Sequence, residues 1–527
     1  MSRVLASIGN CSWIGFTLAT ACTPAVGTST SSSGSSAGGG TTTSAATTSG
    51  TTSTATSSTG AGGCTLPTDC ASGICQAGVC ADNLLGAFAW PGSKYDQRIA
   101  RLSLPAAFAS AGGLSFLDYQ GHGLTYTAIS PNQTTLGQQD FGAANSQQSA
   151  LITAVSMLSG NELVADLRQG AALDLASTVN IPATSNGNYQ LVITRLAVSG
   201  GAEWATVIGG VFPQSNTIDR AFIADITTDG AGYVWVLVNP NVNTQATPFV
   251  VNGTTIPSPT QYANPILLKL NPANGQLVLS HWLSQMSCGF ASLPDGTKGY
   301  QPSHVLVGTD SGVVVTGIAE GRCDFGGGQI PAQPVAFSFG YVADFDSNAN
   351  HVWSRAFVGM NGGTATTGLE SPAIARFGTG LYVAGEISGS ASIDFGTGPL
   401  KGAVAVARLD LASGTTEWAK GFPGSGYVSA LSASTGGVTI AGSEDSGGLD
   451  FTVKDTGPGV GPFLAKLDPT GTPLWKRTFA AAANVRGLDS TGGENVALYL
   501  SGTGVDFGSG PLTDSPSKLS VGQFQLP

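Results

Sequence analysis

The sequence predicts an all-β fold assembled from repeated units, and three observations carry that prediction. A phrase recurs in which an apolar strand runs into a turn opened by Asp, then into Trp, a base and Phe. It reads Ala-Arg-Leu-Asp-Leu-Ala-Ser-Gly-Thr-Thr-Glu-Trp-Ala-Lys-Gly-Phe at 407–422 and Ala-Lys-Leu-Asp-Pro-Thr-Gly-Thr-Pro-Leu-Trp-Lys-Arg-Thr-Phe at 465–479. Looser copies lie at 343–357, with Trp353 and Arg355, and at 194–208, with Arg195 and Trp204. A second phrase precedes the first: a strand with a Gly end, then Asp-Phe-Gly or a relative at Asp324, Asp394, Asp450 and Asp506, with an outlying copy at Asp140. The third observation is composition. Only 10% of the 527 residues are charged and 75 are Gly, so helix formers such as Glu and Lys are scarce while Val, Thr and aromatics fill the repeats. A unit this short cannot bury its own apolar face, so neighbouring units must share a core.

Taken from the N-terminus, residues 1–21 read as an export signal. Arg3 supplies the positive end, 4–8 and 13–21 are apolar, and Ala19-Thr20-Ala21 has the small-x-small form of a cleavage site. Cys22 follows directly. A small residue before Cys resembles the bacterial lipobox, although Leu18 stands one place further from Cys22 than the usual Leu and Ala19 fills its slot. The resemblance implies acylation of Cys22 and a lipid anchor; an ordinary signal cut at the same bond would leave a free thiol. Residues 22–63 are almost entirely Ser, Thr, Gly and Ala. Such a segment cannot offset chain entropy by burial and reads as a disordered tether with a reach on the order of 35 Å.

Residues 64–81 hold Cys64, Cys70, Cys75 and Cys80. The run Asp69-Cys-Ala-Ser-Gly-Ile-Cys-Gln-Ala-Gly-Val-Cys resembles the small Cys-rich modules between tether and body of exported bacterial proteins. An even count on an exported chain reads as two disulfides of undetermined connectivity. The competing four-Cys zinc site prefers closer Cys pairs on two hairpins separated by a longer loop. Cys288 and Cys323 form the remaining candidate pair, either bridged or as two buried thiols.

Residues 82–527 carry the repeats. Within a unit the order is apolar strand, Asp-Phe-Gly loop, apolar strand with Asp turn, Trp strand. This order resembles the SBBP β-propeller repeat of bacterial surface proteins over roughly 160–527, and the resemblance implies four-stranded blades around a central channel. Trp204, Trp282, Trp353, Trp418 and Trp475 serve as unit markers. The last unit has its Asp506 loop and an apolar strand at 519–526 but no Trp strand. Residues 83–92 supply the missing pattern, with Gly86 in the Trp slot and Trp90 in the Phe slot. The expectation is therefore seven blades, one of them closed by pairing the N- and C-terminal strands, which removes a free sheet edge.

The chemistry-bearing motifs divide into fold signatures and candidates. Asp-Phe-Gly is the magnesium motif of protein kinases, but here it recurs once per unit without the accompanying kinase motifs. Its structural reading has Phe packed in a blade, Asp capping a turn and Gly at positive φ. Asp344, Asp346 and Asn348 alternate oxygen ligands like a calcium loop, yet Ala349 stands where that loop needs Gly and Arg355 where it needs Glu. The Asp-x-x-x-Gly-x-x-x-Trp phrase also resembles the docking motif of quinoprotein propellers, whose adjacent cysteines this chain lacks. His122, His281, His304 and His351 lie in different units without metal-ligand spacing. A net charge of −11 and no basic stripe argue against nucleic acid as a partner. The expected function is a non-enzymatic, lipid-anchored cell-surface binding or scaffold module, attached to the outer membrane only through its lipid, with a protein or glycan partner. The alternatives are a propeller glycoside hydrolase or lyase acting on polysaccharide, and a scaffold resembling the propeller lipoprotein of outer-membrane assembly machinery.

Overall fold

The computed structural model describes isolated strands between residues 75 and 181 and then most of the chain from 189 to 525. All of them fall in the second of the two units into which the chain divides, Ser53–Pro527. The signal, Cys22, the tether, Cys64, Cys70 and Trp90 lie outside the described residues. Among the described residues there is no helix, and none that is long and apolar enough to cross a membrane.

The strands form antiparallel meanders that follow one another along the chain. Sheet A comprises Leu114–Gln120, Gly123–Ile129 and Thr135–Ala143. Sheet B is built on Leu151–Met157, Leu163–Gln169, Tyr189–Leu196 and Ala202–Phe212, and sheet C on Phe222–Thr228, Val234–Asn239, Ile266–Leu270 and Leu277–Trp282. Sheet D holds His304–Gly308, Val313–Asp324, Gln329–Phe345 and His351–Phe357. Sheet E is Leu369–Phe377, Gly380–Ile387, Val404–Asp410 and Thr416–Phe422; sheet F is Gly424–Ser434, Gly437–Leu449, Gly461–Leu467 and Pro473–Thr478. In sheet G, Ala480–Ser490, Asn495–Asp506 and Leu519–Gln525 are completed by Asn83–Ala89 from the other end of the chain.

That last pairing is the closure expected from the sequence. Asn83–Ala89 runs antiparallel to Leu519–Gln525 as the outer strand, with Gly86 opposite Gln523. Gly86 stands in the Trp slot by register as well as by pattern. In sheet F the residue opposite Val438 is Leu467, and its predecessor Lys466 faces Trp475. In sheet G the residue opposite Val496 is Phe524, and its predecessor Gln523 faces Gly86. The third and fourth strands of sheets B to F share a register shift just before the Trp slot, at Arg195/Leu196, Lys269/Leu270, Asp344/Phe345, Arg408/Leu409 and Lys466/Leu467. The same irregularity occurs between Leu84 and Gly86. A bulge conserved across units re-aims the following side chain in the same way each time.

The cores lie between sheets. Val342, Trp353 and Phe357 of sheet D pack with Leu381, Val383 and Phe395 of unit E. Equivalent clusters join B to C, C to D, E to F and F to G. A sheet covered on both faces needs apolar residues at successive positions of its inner strands, and Gly380–Ile387 is buried at all but one position. Outer strands are only partly covered: in His351–Phe357 Trp353 and Phe357 alone are buried, and Leu277, Val278, Leu279 and Ser280 alternate between partly buried and exposed. The first strands touch one another in sequence, B to C, C to D, D to E, E to F and F to G. Four-stranded meanders stacked face to face with their first strands together are the blades of a β-propeller.

Two additions cross between sheets. The hairpin Phe249–Val251 and Thr254–Ile256, inserted between the second and third strands of sheet C, pairs with Ala202–Phe212 and widens sheet B to six strands. Leaving sheet D, Gly359–Asn361 pairs with Thr364–Thr366 on one side and with Ser392–Asp394 of unit E on the other.

Candidate functional site

The repeated phrase is a clamp between neighbouring sheets. Trp353 at the edge of sheet D donates its indole N–H to the Leu411 carbonyl, the second residue of the next sheet's Asp turn, at 2.8 Å. Trp204 reaches Pro272 at 2.8 Å and Trp418 reaches Pro469 at 2.9 Å. The turn glycine lies flat against the ring: a Cβ on Gly414 would stand 2.5 Å from Trp353, and Gly275 and Gly471 sit against Trp204 and Trp418 in the same way. Gly414 also has φ of +66°, so both the ring contact and the backbone require glycine. Two residues after Trp, Arg355 and Arg477 donate to the carbonyls of Phe395 and Phe507, at 2.6 and 2.9 Å. The closing Phe then meets the Asp-Phe-Gly Phe of the next sheet, as Phe357 with Phe395 and Phe422 with Phe451 at centroid separations of 4.5 and 4.4 Å.

The Asp-Phe-Gly loops play the structural part expected of them. Phe325, Phe395, Phe451 and Phe507 are buried. Asp324 Oδ1 accepts from the N–H groups of Gly326 and Gly328, and Asp394 Oδ1 from those of Gly396 and Gly398.

One marker needs correction. Trp282 does not occupy the Trp slot of sheet C; Leu279 does, opposite Lys269. Trp282 lies on the other face, where its indole donates to the Pro257 carbonyl at 2.9 Å and its ring meets Phe249. Without an indole at the slot, the next turn's second carbonyl, Ser347, takes its hydrogen bond from Lys269 Nζ at 3.0 Å. Lys269 is buried over the rings of Tyr233 and Trp235 and lies 3.4 Å from Asp229 Oδ2. Ala349, at φ 58°, stands in the Gly position of that turn and shares a buried cluster with Leu279.

Of the candidate calcium ligands, Asp346 is committed to its own turn: Oδ1 accepts from the N–H groups of Asn348 and Asn350, and Oδ2 from Asn350 Nδ2. These bonds outweigh partial burial and hold its carboxyl below the usual range. Asp344 is buried on the third strand of sheet D, and burial pushes its carboxyl up to about 7. Among the described residues no group of three His, Cys, Asp or Glu side chains is placed to hold a metal. His351 packs on Phe345 and bonds Ser354 at 3.0 Å, while burial lowers His281.

Cys288 and Cys323 are paired as a disulfide with Cα atoms 4.9 Å apart. Their bridge ties Cys288–Phe290, on the connection leaving sheet C, to the second strand of sheet D just before its Asp-Phe-Gly loop. Cys75 and Cys80 face each other in a two-stranded hairpin by backbone register.

The two ends of the sheets differ. At one end lie the hairpins joining first to second strands and the Asp turns joining third to fourth, and those among the described residues are tight, such as 229–233, 309–312 and 346–350. At the other end the connections from second to third strands range from 325–328 in sheet D to 240–265 in sheet C. This variable end also holds a buried charge cluster sequence reasoning missed: Lys476 Nζ lies 2.6 Å from Glu444 Oε2 and 3.1 Å from Asp455 Oδ2. Its members sit in three separate segments with no shared motif, so no sequence signal could have joined them.

No protein-family model and no curated protein matches the sequence. Among solved structures, BamB from Moraxella catarrhalis is similar at 12% identity, over 84% of this chain and 99% of that one, with a TM-score of 0.33. The Pan2 WD40 domain of Neurospora crassa is similar at 10% identity over 84% of this chain and 96% of that one, with a TM-score of 0.35. An α-L-arabinanase of Penicillium chrysogenum complexed with arabinobiose aligns at 11% identity over 71% and 92%, with a TM-score of 0.33. These likenesses concern the fold, and the meanders described above establish it on their own: the chain is a β-propeller.

Proposed function

We propose that the chain is an exported cell-surface propeller of the SBBP type, anchored through Cys22, that presents its variable end to a protein or glycan partner. In this reading sheets A to G are its seven blades, and residues 64–81 form a disulfide collar between tether and body. One observation carries the reading. The recurrent residues of each unit, Trp, Gly, Arg and Phe, are used in contacts between sheets, while the connections at one end differ in length from unit to unit. A scaffold held by constant junctions and decorated with unequal loops is the arrangement in which recognition is carried by the loops. A glycan-binding and hydrolysis screen on the secreted chain tests it. Binding without turnover is expected; turnover of a polysaccharide would overturn the binding-module reading in favour of a hydrolase or lyase. Replacing Cys22 by Ser and fractionating cells tests the anchor: the variant should leave the membrane fraction, and an identical distribution of both forms would contradict acylation.

A further inference from the structure

Three lysines are buried among the described residues: Lys269, Lys466 and Lys476. Lys466 donates to Ser434 Oγ. Lys269 faces Asp229, but that carboxylate is already engaged by the N–H groups of Ala231 and Tyr233 and by the Trp235 indole. Lys476 differs in being held by two carboxylates. Its Nζ lies 2.6 Å from Glu444 Oε2, 3.1 Å from Asp455 Oδ2 and 2.8 Å from the Leu449 carbonyl. Asp455 and Lys476 are also partners in an isolated parallel β-bridge, so their backbones are side by side. Asp455 Oδ1 accepts from the N–H groups of Gly457 and Thr478, at 2.9 and 3.1 Å, and from Thr478 Oγ1 at 3.2 Å. Glu444 is 2% exposed, and its Oε1 is buried without a hydrogen-bond partner.

We propose that Lys476 and Asp455 condense into an intramolecular isopeptide bond, with Glu444 as the proton carrier. The bond that forms joins Lys476 Nζ to Asp455 Cγ. The bond that breaks is Cγ–Oδ2, and that oxygen leaves with two protons as water, so nothing is oxidised or reduced. The attack needs a neutral amine and a neutral carboxylic acid. Lys476 as ammonium and Glu444 as acid hold two protons besides those the amine keeps. Moved to Asp455 and Glu444, those two protons make all three groups neutral, the arrangement a dry interior favours over separated charges. Burial pushes the Glu444 carboxyl up, against the Lys476 and Leu449 hydrogen bonds, which suits it to arrive with a proton. Asp455 begins as a carboxylate, because the Gly457 N–H and Lys476 outweigh its burial. The donors on Oδ1 then face the oxygen on which negative charge develops as Nζ adds to Cγ. Glu444 takes a proton from the attacking nitrogen and returns it to the departing oxygen. The product ties the connection 450–460 covalently to the outer strand of sheet F. This inference is independent of the binding-module reading.

Tryptic mapping of the folded, full-length chain tests it. In the joined protein trypsin cannot cut after Lys476, and peptide 455–466 travels linked to 467–477, lighter than the two together by one water. Glu444→Gln should leave nearly all of the two peptides separate, and Lys476→Arg is the unlinked control. Asp455→Asn with Glu444 intact should still link, losing ammonia in place of water. Recovery of a peptide cut after Lys476 as the main product from folded wild-type protein overturns the proposal. Linkage undiminished in Glu444→Gln overturns the role given to Glu444.

Discussion

The junction between sheets D and E and the junction between sheets C and D meet one requirement with different residues. At the first, Trp353 fills the space over Gly414 and its N–H satisfies the Leu411 carbonyl. At the second, Leu279 occupies the Trp slot, Ala349 replaces the glycine, and the equivalent carbonyl, Ser347, is satisfied by buried Lys269. A third case, between sheets F and G, keeps the tryptophan and lacks the acceptor. Trp475 is buried, and its indole nitrogen has no hydrogen-bond partner among the described residues. The comparison shows what the fold needs at each junction: a filled interface and a donor for the turn carbonyl. Tryptophan is one way of supplying both, and a lysine supported by a carboxylate and two aromatic faces is another.

The largest test of that equivalence is Lys269→Met. It removes the donor to Ser347 and leaves Asp229 buried without its cation, so chemical denaturation should show a loss of about 3–5 kcal/mol. A loss no greater than that of an average surface substitution would mean that the lysine does not stand in for an indole. Gly414→Ala comes next. The added Cβ meets the Trp353 ring and the backbone keeps positive φ, which should cost about 1–3 kcal/mol. Ala349→Gly should change stability by less than about 1 kcal/mol, because relief of the positive φ offsets the loss of a buried methyl.

Exchanging tryptophan for phenylalanine separates the hydrogen bond from the packing. Trp353→Phe leaves the Leu411 carbonyl without its donor and should cost about 1–3 kcal/mol beyond the loss of ring area. Trp475→Phe removes an unpaired N–H and should cost only the ring area. Equal losses at the two sites, measured in the same denaturant series, would remove the distinction between them.

A further test is a pH dependence. The slot that holds Arg195, Lys269, Arg408 and Lys466 in other sheets holds Asp344 in sheet D. Burial raises its carboxyl from an ordinary value of 3.8 to about 7, with Asp346 adding to the shift and Arg376 opposing it. The folded state therefore keeps a proton that the unfolded chain has released. Stability contributed by Asp344 is present below about pH 4 and is lost as pH rises through about 7. Melting curves across that window should flatten in Asp344→Asn; an unchanged slope would mean that Asp344 titrates normally.

Much of this architecture is written locally and was legible for that reason. The Asp turn, the Asp-Phe-Gly loop and the Trp strand each use near neighbours, so their order within a unit could be read along the chain. The closure was legible too, because Gly86 repeats a pattern whose other half is missing from the last unit. The Trp282 error has a physical origin. A bulge before the slot decides which side chain faces the next sheet, and no residue type in Leu277–Trp282 announces where that bulge falls. Lys269 was missed because its partners, Asp229 and Ser347, come from a hairpin and from another sheet. Glu444, Asp455 and Lys476 meet only after the meander of sheet F has formed, so nothing in their spacing marks them. For Cys288 and Cys323 the sequence left two readings open, and the strand Cys288–Phe290, laid against Gly321, brings them together.

The central claim is that sheet G takes its outer strand from the opposite end of the chain. Native-state hydrogen exchange at Asn83–Ala89 tests it most directly, because an amide paired in a ladder exchanges only when that ladder opens. Amides of this strand that bond to Leu519–Gln525 should be protected, and a chain lacking residues 81–92 should lose protection in Leu519–Gln525 as well. Exchange of Asn83–Ala89 at the rate of an open chain, with Leu519–Gln525 protected equally in both forms, would contradict the closure.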